Sequence, residues 1–93
     1  MATIESLQDA CQAGDHRLVD RILRNNRSLV NMGSGEGFTP LIIACLCGHT
    51  ETVRVILQKG GTVDLANNGG GFTPLHCACQ NNHVASVLLL LDN

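Results

Sequence analysis

The chain has 93 residues, a length that suits one small domain. Its net charge is −2 and its pI is near 6.0, so it lacks the basic surface that nucleic acid or anionic membranes require. Charged residues make up 15% and aromatic residues 2%, and this composition favours closely stacked helices with small side chains between them.

Neither a membrane span nor a secretory signal is predicted. The apolar runs at residues 41–47 and 87–91 are both far shorter than the roughly 20 residues that a span needs. The N-terminus lacks a basic region followed by an apolar stretch. The five cysteines are odd in number and lie in apolar segments of helical period, which indicates reduced thiols. We therefore expect a cytosolic protein, with the nucleus as the alternative.

A repeat of 34 residues organises the chain. Gly-Phe-Thr-Pro-Leu at 37–41 recurs at 71–75, and Ala-Cys at 44–45 recurs at 78–79. A weaker first copy aligns Leu7 with Leu41 and Gly14 with Gly48. The whole chain is thus predicted to be one domain, with units at about 3–36, 37–70 and 71–93.

The first unit is predicted to hold two helices separated by Gly14. The second of these helices carries charged residues beside its apolar stripe, namely Arg17, Asp20, Arg21 and Arg24. We interpret this charged side as the polar outer face that closes a stack. The three arginines also form a stripe that would suit an acidic partner, although a solvated face is the simpler interpretation.

The second unit contains clear signals for helix ends. Thr39 is predicted to cap a helix that begins at Pro40, where the missing N–H of proline is harmless. That helix is expected to end at Gly48 and a second helix at Gly60. The glycine- and asparagine-rich stretch that follows is typical of a hairpin-like turn.

The third unit lacks a polar closing face. Its last helix places Leu88 and Leu89 where the first unit has Asp20 and Arg21. Leucines left facing water would form a sticky patch. We therefore expect the chain to be the N-terminal part of a longer array, or else to self-associate or bind a partner helix through this face.

Thr-Pro-Leu-His at 73–76, the two Ala-Cys pairs and Gly48-His49 together resemble the ankyrin repeat family, over essentially all 93 residues. The resemblance implies an all-α solenoid of helix-turn-helix units with hairpin-like finger loops. It also implies that His76 ties a turn to its helix by a hydrogen bond. The chain departs from the family pattern at Ile42, at Asn82 and at Glu5-Ser6. Its period of 34 rather than 33 predicts an extra residue in the finger.

The resemblance also predicts where a partner binds. The position before Thr-Pro, which is Phe38 and Phe72 here, projects from the fingers toward the concave face in such proteins. The alternative interpretation is that each ring folds back over its glycine loop. The two residues after the Ala-Cys pair are also variable in the family. The predicted partner-binding residues are therefore Phe38, Leu46, Cys47, Asn67, Asn68, Phe72, Gln80 and Asn81.

Catalytic, metal and nucleotide sites are not predicted. His76, Cys77, Cys79 and His83 are close in sequence, but Cys11, Cys45 and Cys79 share one repeat column that we expect to be small and buried. A cysteine nucleophile would need a nearby base and a third group that orients the base, and the sequence designates no such set. The glycine loops lack the lysine of a phosphate-binding loop. We predict a non-catalytic protein-interaction module without cofactor. The rival interpretations are assembly through the leucine face and a metal- or thiol-dependent activity.

Overall fold

The computed structural model of the chain describes residues 3–67 and 70–93. This part of the chain is helical and without strands, which confirms the predicted all-α solenoid. The helices are α1 (Ile4–Ala13), α2 (His16–Asn25), α3 (Pro40–Cys47), α4 (Thr50–Gln58), α5 (Pro74–Gln80) and α6 (Val84–Leu91), with a short 3-10 turn, Arg27–Leu29, after α2.

The six helices form two layers. The first helices of the units pack in the order α1, α3, α5, and the second helices pack in the order α2, α4, α6. The core lies between the layers, and its fully buried members recur at the repeat period, as Leu7 and Leu41 or Val19 and Val53 do. Each such side chain contributes about 1.5–3 kcal/mol by leaving water, so stacking neighbouring units is what stabilises each unit.

The first helices all begin after a threonine cap, as the sequence predicted for Thr39. Thr39 Oγ1 accepts a hydrogen bond from the Ile42 amide (3.2 Å), and proline occupies the first helical position of both α3 and α5. Where the first unit lacks Thr-Pro, Thr3 caps α1 and accepts from the Ser6 amide (3.2 Å). Thr3 therefore replaces the missing Thr-Pro signal, and α1 begins earlier in the repeat register than α3 does.

The fingers are closed by backbone hydrogen bonds. In the first finger, the Ser34 amide donates to the Phe38 carbonyl (3.2 Å), and Gly37 adopts a φ of +82°. In the second finger, the Asn67 amide donates to the Phe72 carbonyl (2.9 Å). These bonds confirm the hairpin-like turns, and the second finger holds one residue more between its closing residues than the first.

The N-terminal end of the stack is closed by polar residues, with one correction. Val55 and Leu89 pack against the core, whereas Arg21 at the same repeat position is exposed. Asp20 is not part of this outer face. Its carboxylate lies 3.0 Å from Lys59 Nζ of the second unit, so Asp20 faces the neighbouring unit instead.

The other end of the stack is open. Cys45 is fully buried, but Cys79 at the same repeat position is exposed, which corrects the prediction that this column is buried throughout. Leu88 and Leu91 are 59% and 65% exposed, and Val84 is exposed beside them. Val84 and Leu91 are exposed because they point along the stack, where units one and two have a neighbour and unit three has none among the described residues. The position of Leu88 is more open in itself, since Arg54 is exposed there in unit two.

Leu89 does not belong to the open face. Its side chain is half-buried and packs against the core, and it lines a depression between α4 and α6 together with Leu57. The prediction that Leu89 faces water beside Leu88 is therefore wrong. The repeat position of Leu89 points back toward the second unit, whereas that of Leu88 points away from it.

Candidate functional site

Two shallow depressions lie side by side where the first helices meet the fingers. The first depression, of about 360 Å³, is lined by Gln8, Asp9, Gln12, Ser34, Phe38, Ile43, Leu46 and Cys47. The second depression, of about 390 Å³, is lined by Phe38, Leu46, Asn67, Gly70, Phe72, Cys77 and Gln80. Because both share Phe38 and Leu46, they form one groove that runs across all three units. We call the two together the groove.

The groove brings together most of the residues that the sequence singled out. Its second depression is lined by Phe38, Leu46, Asn67, Phe72 and Gln80, and its first also contains Cys47. Asn81 is exposed at the end of α5, where its amide nitrogen donates to the Cys77 carbonyl (3.0 Å). Asn68, the remaining predicted residue, lies outside the described residues. Neither depression has a Lys or Arg side chain in its lining.

Phe72 combines the two arrangements that the sequence left open. Its ring lies against Gly70, where an added Cβ would come within 2.7 Å of the ring. The ring also makes an edge contact with the His76 imidazole, with centroids 6.0 Å apart. Even so, Phe72 is 45% exposed. The ring thus folds over its glycine loop and still offers apolar surface to the second depression.

Phe38 is a wall of the groove and not an exposed tip. Its ring is half-buried and packs against the core. Its backbone carbonyl accepts a hydrogen bond from Gln8 Nε2 (3.3 Å), which ties the first finger to α1 of the preceding unit. Truncating Phe38 would therefore disturb the fold as well as the groove.

Asn67 is committed to the shape of the second finger. Its side chain is buried, and Oδ1 accepts hydrogen bonds from the amides of Gly70 (3.2 Å) and Phe72 (3.0 Å). The structure places Asn67 in the lining of the second depression, and the sequence predicted it as a partner-binding residue. Sequence reasoning did not foresee that the amide oxygen is used within the loop.

Three histidines hold turns in place. His76 Nδ1 accepts a hydrogen bond from the Thr73 amide (3.1 Å), as the family resemblance implied. His49 Nε2 lies 2.9 Å from the Gln12 carbonyl oxygen, and His83 Nε2 lies 3.2 Å from the Leu46 carbonyl oxygen. Both acceptors belong to the end of the first helix in the preceding unit. The sequence signal for this contact was that histidine recurs at the repeat period, as His49 and His83.

The buried cysteines are poor nucleophiles. All five cysteines are free thiols. Burial, and to a lesser degree Cys47, raises the pKa of Cys11 to about 12. Burial, and to a lesser degree Cys77, raises the pKa of Cys45 to about 12 as well. Both remain protonated at neutral pH, and a thiol without its thiolate does not attack. In residues 3–67 and 70–93, no three His, Cys, Asp or Glu side chains converge as metal ligands would.

Comparison with known proteins identifies one family. The family model for ankyrin repeats matches residues 7–93 as three copies. A search of curated proteins gave no significant match. Of the helices described in the structure, none has the length and apolar content needed to cross a membrane.

Proposed function

Because the chain belongs to the ankyrin repeat family, we propose that it is a non-catalytic module that binds a segment of another protein in the groove. Ankyrin repeats are generally protein-protein interaction modules. The observation that carries the proposal is the groove itself, in which two depressions recur at the repeat period and expose Leu46 and Phe72. Aromatic anchors in such pockets commonly dominate binding energy.

The groove is preformed by the stack. Leu46 lies in the last turn of α3, whose end is held by His83, and Phe72 is held by Gly70 and His76. A rigid surface of this kind loses little conformational entropy when a partner binds. The exposed side-chain amides of Gln12, in the first depression, and of Gln80, in the second, offer hydrogen bonds to the backbone of a partner.

The first test replaces Leu46 and not a phenylalanine. Leu46 is 37% exposed and lines both depressions, so Leu46→Gln removes an apolar anchor with little effect on the core. Leu65 is 38% exposed and lines neither depression, which makes Leu65→Gln a matched control. Wild-type and variant proteins are immobilised and used to capture partners from an extract of the source cells, with circular dichroism as the check of folding.

The outcome separates the groove from the rest of the surface. We expect a partner that is captured by wild type and Leu65→Gln and is reduced at least about tenfold by Leu46→Gln, as for an anchor worth more than about 1.4 kcal/mol. Equal capture by all three folded proteins would contradict binding in the groove.

A second candidate function is assembly through the open face, which we define as Cys79, Val84, Leu88 and Leu91. Its support is the exposure of Cys79, Val84 and Leu91 at positions that are less exposed in the preceding units, with the exposed apolar side chain of Leu88 beside them. Asn82 limits what covers this face. In the preceding units the same position is glycine, since a Cβ there would come within 2.7 Å of the next unit's histidine ring. A further unit packing on Asn82 would need a smaller residue than histidine.

Sedimentation velocity over a wide range of concentration tests self-assembly. We expect wild type to associate and Leu88→Glu to remain monomeric, because the glutamate places a charge in the apolar patch. Leu65→Glu serves as the control for a charge introduced elsewhere. A wild type that stays monomeric at the highest concentration would rule out assembly of copies through this face.

The free thiols also bear on location. We propose a reducing compartment, the cytosol or nucleus, because five unpaired cysteines, two of them exposed, would be oxidised outside the cell. Immunofluorescence of the tagged protein tests this proposal, and a signal in the secretory pathway would refute it.

A further inference from the structure

The basic residues of the chain are confined to one layer of the stack. All six Lys and Arg residues lie in the second helices or directly after them, namely Arg17, Arg21, Arg24, Arg27, Arg54 and Lys59. The first helices and the turns from Ser34 to Phe38 and from Asn67 to Phe72 contain none. The layer that forms the groove therefore has no positive side chain of Lys or Arg with which to attract an acidic partner.

Acidic residues remain at the end of the groove that the first unit forms. Asp9 lines the first depression, and Glu5 lies one turn earlier on the same side of α1. Glu36 is at the tip of the first finger, between Ser34 and Phe38, which both line that depression. All three carboxylates are exposed. The groove thus joins an apolar centre to a negatively charged end.

We propose that the groove binds a basic, apolar peptide segment whose two apolar side chains occupy the two depressions and whose Lys or Arg side chains face Glu5, Asp9 and Glu36. This inference rests on the proposed function and names the chemistry of the partner. Charge complementarity is the reason for a basic segment, because like charges facing each other would oppose binding.

The spacing of the depressions favours an extended segment. Packed helices are about 8–10 Å apart, so equivalent points of neighbouring units are separated by roughly that distance. A polyproline II segment rises about 3.1 Å per residue and returns to the same side every three residues. Two apolar side chains three positions apart would therefore reach both depressions.

Three labelled peptides test this inference by fluorescence anisotropy. Each is a proline-flanked Leu-x-x-Leu segment, and the two central and two adjacent residues are all Lys, all Gln or all Glu. The lysine peptide is expected to bind most tightly and the glutamate peptide most weakly. The expected gain is about 1.5- to fivefold for each charge pair formed, which is the range for exposed ion pairs. Added salt should weaken only the lysine peptide's advantage.

Variants of the protein test whether the preference for the lysine peptide comes from the carboxylates at the groove. Glu5→Gln combined with Asp9→Asn and Glu36→Gln should remove the advantage of the lysine peptide over the glutamine peptide. Glu51→Gln in α4 is the matched control on the other layer and should retain it. Leu46→Gln should weaken all three peptides, because it removes the shared apolar anchor.

The outcomes separate this inference from the proposed function. If the lysine and glutamine peptides bind equally well, the partner is not a basic segment. If this binding is still lost in Leu46→Gln, the groove remains the binding site. No binding of any peptide would also overturn the inference. The proposed function would then stand or fall by the capture experiment with Leu46→Gln.

Discussion

The imidazole of His83, the residue directly before α6, lies over Gly48, the residue that ends α3 in the preceding unit. A Cβ at Gly48 would come within 2.5 Å of the ring, and Nε2 donates to the Leu46 carbonyl 3.2 Å away. The same contact joins His49 to Gly14 one unit earlier, with Nε2 2.9 Å from the Gln12 carbonyl oxygen. Each junction between units therefore contains a histidine that packs on a glycine and satisfies a carbonyl at a helix end.

Removing either junction histidine should destabilise the stack. His49→Ala and His83→Ala each remove a hydrogen bond to a helix-end carbonyl, and because these bonds are exposed to solvent we expect a loss of about 0.5–1.5 kcal/mol. Urea unfolding followed by circular dichroism measures the loss. His16→Ala, at the beginning of α2, is the control and should change stability by less than about 0.5 kcal/mol. If all three variants unfold at the same urea concentration, the junction contact does not contribute to stability.

Replacing the glycine under a junction histidine should also destabilise the stack. Gly48 has a φ of +74° and Gly60 a φ of +95°, so alanine is strained at either position. Gly60 has no heavy atom within 4 Å of its added Cβ, whereas Gly48 has the His83 ring. Gly48→Ala should therefore lower the free energy of unfolding more than Gly60→Ala does.

A double variant isolates the ring contact. In Gly48→Ala combined with His83→Ala, the clash is gone, so the total loss should be smaller than the sum of the two single losses. Strict additivity would mean that the alanine acts only through backbone strain.

The positions of the helix ends could be predicted from the sequence because each unit repeats the same local signals. Thr39, Pro40 and Gly48 act through local backbone chemistry, and the structure places them as helix cap, first helical residue and helix end. Local signals of this kind do not depend on what lies beyond the unit. They were therefore visible without knowledge of the stack.

The sequence-based predictions were wrong where equivalent positions of the repeat have different neighbours. Cys79 shares a column with Cys45 but has no covering unit among the described residues, and Leu89 points toward the second unit while Leu88 points away. Asn67 was placed at the groove, but its use within the finger depends on the path of the loop. The repeat period shows which positions are equivalent. It does not show which side chains face the preceding unit, which face the following unit, and whether that unit is present.

The five thiols should react in two classes. Cys47 and Cys79 are exposed, whereas Cys11, Cys45 and Cys77 are buried, and burial raises the pKa of each buried thiol. We expect two thiols to react rapidly with Ellman's reagent in the folded protein and five in denaturant. Mass spectrometry should find the rapid label at Cys47 and Cys79. Rapid labelling of Cys11 or Cys45 would mean that the first helices separate readily.

The ion pair between the second helices should give stability a dependence on acid pH. The hydrogen bond from Lys59 is the main cause that lowers the pKa of Asp20 below its usual value of 3.8, and Arg24 adds to the effect. A carboxylate with a lowered pKa in the folded state stabilises the protein above its unfolded pKa, and this stabilisation is lost as pH falls through the folded value. Asp20→Asn should therefore lower the Tm at neutral pH, and the difference from wild type should shrink once the pH is below 3.8.

Thermal unfolding at about pH 7 and at about pH 3 measures this difference, with the lower pH chosen below the ordinary range for aspartate. Because Asp20 is partly exposed, the effect should be small and should decrease with added salt. Asp64→Asn, in the exposed loop after α4, provides the control for loss of a negative charge. A Tm difference for Asp20→Asn that is the same at both pH values would show that the variant acts through packing, and not through the charge that Lys59 stabilises.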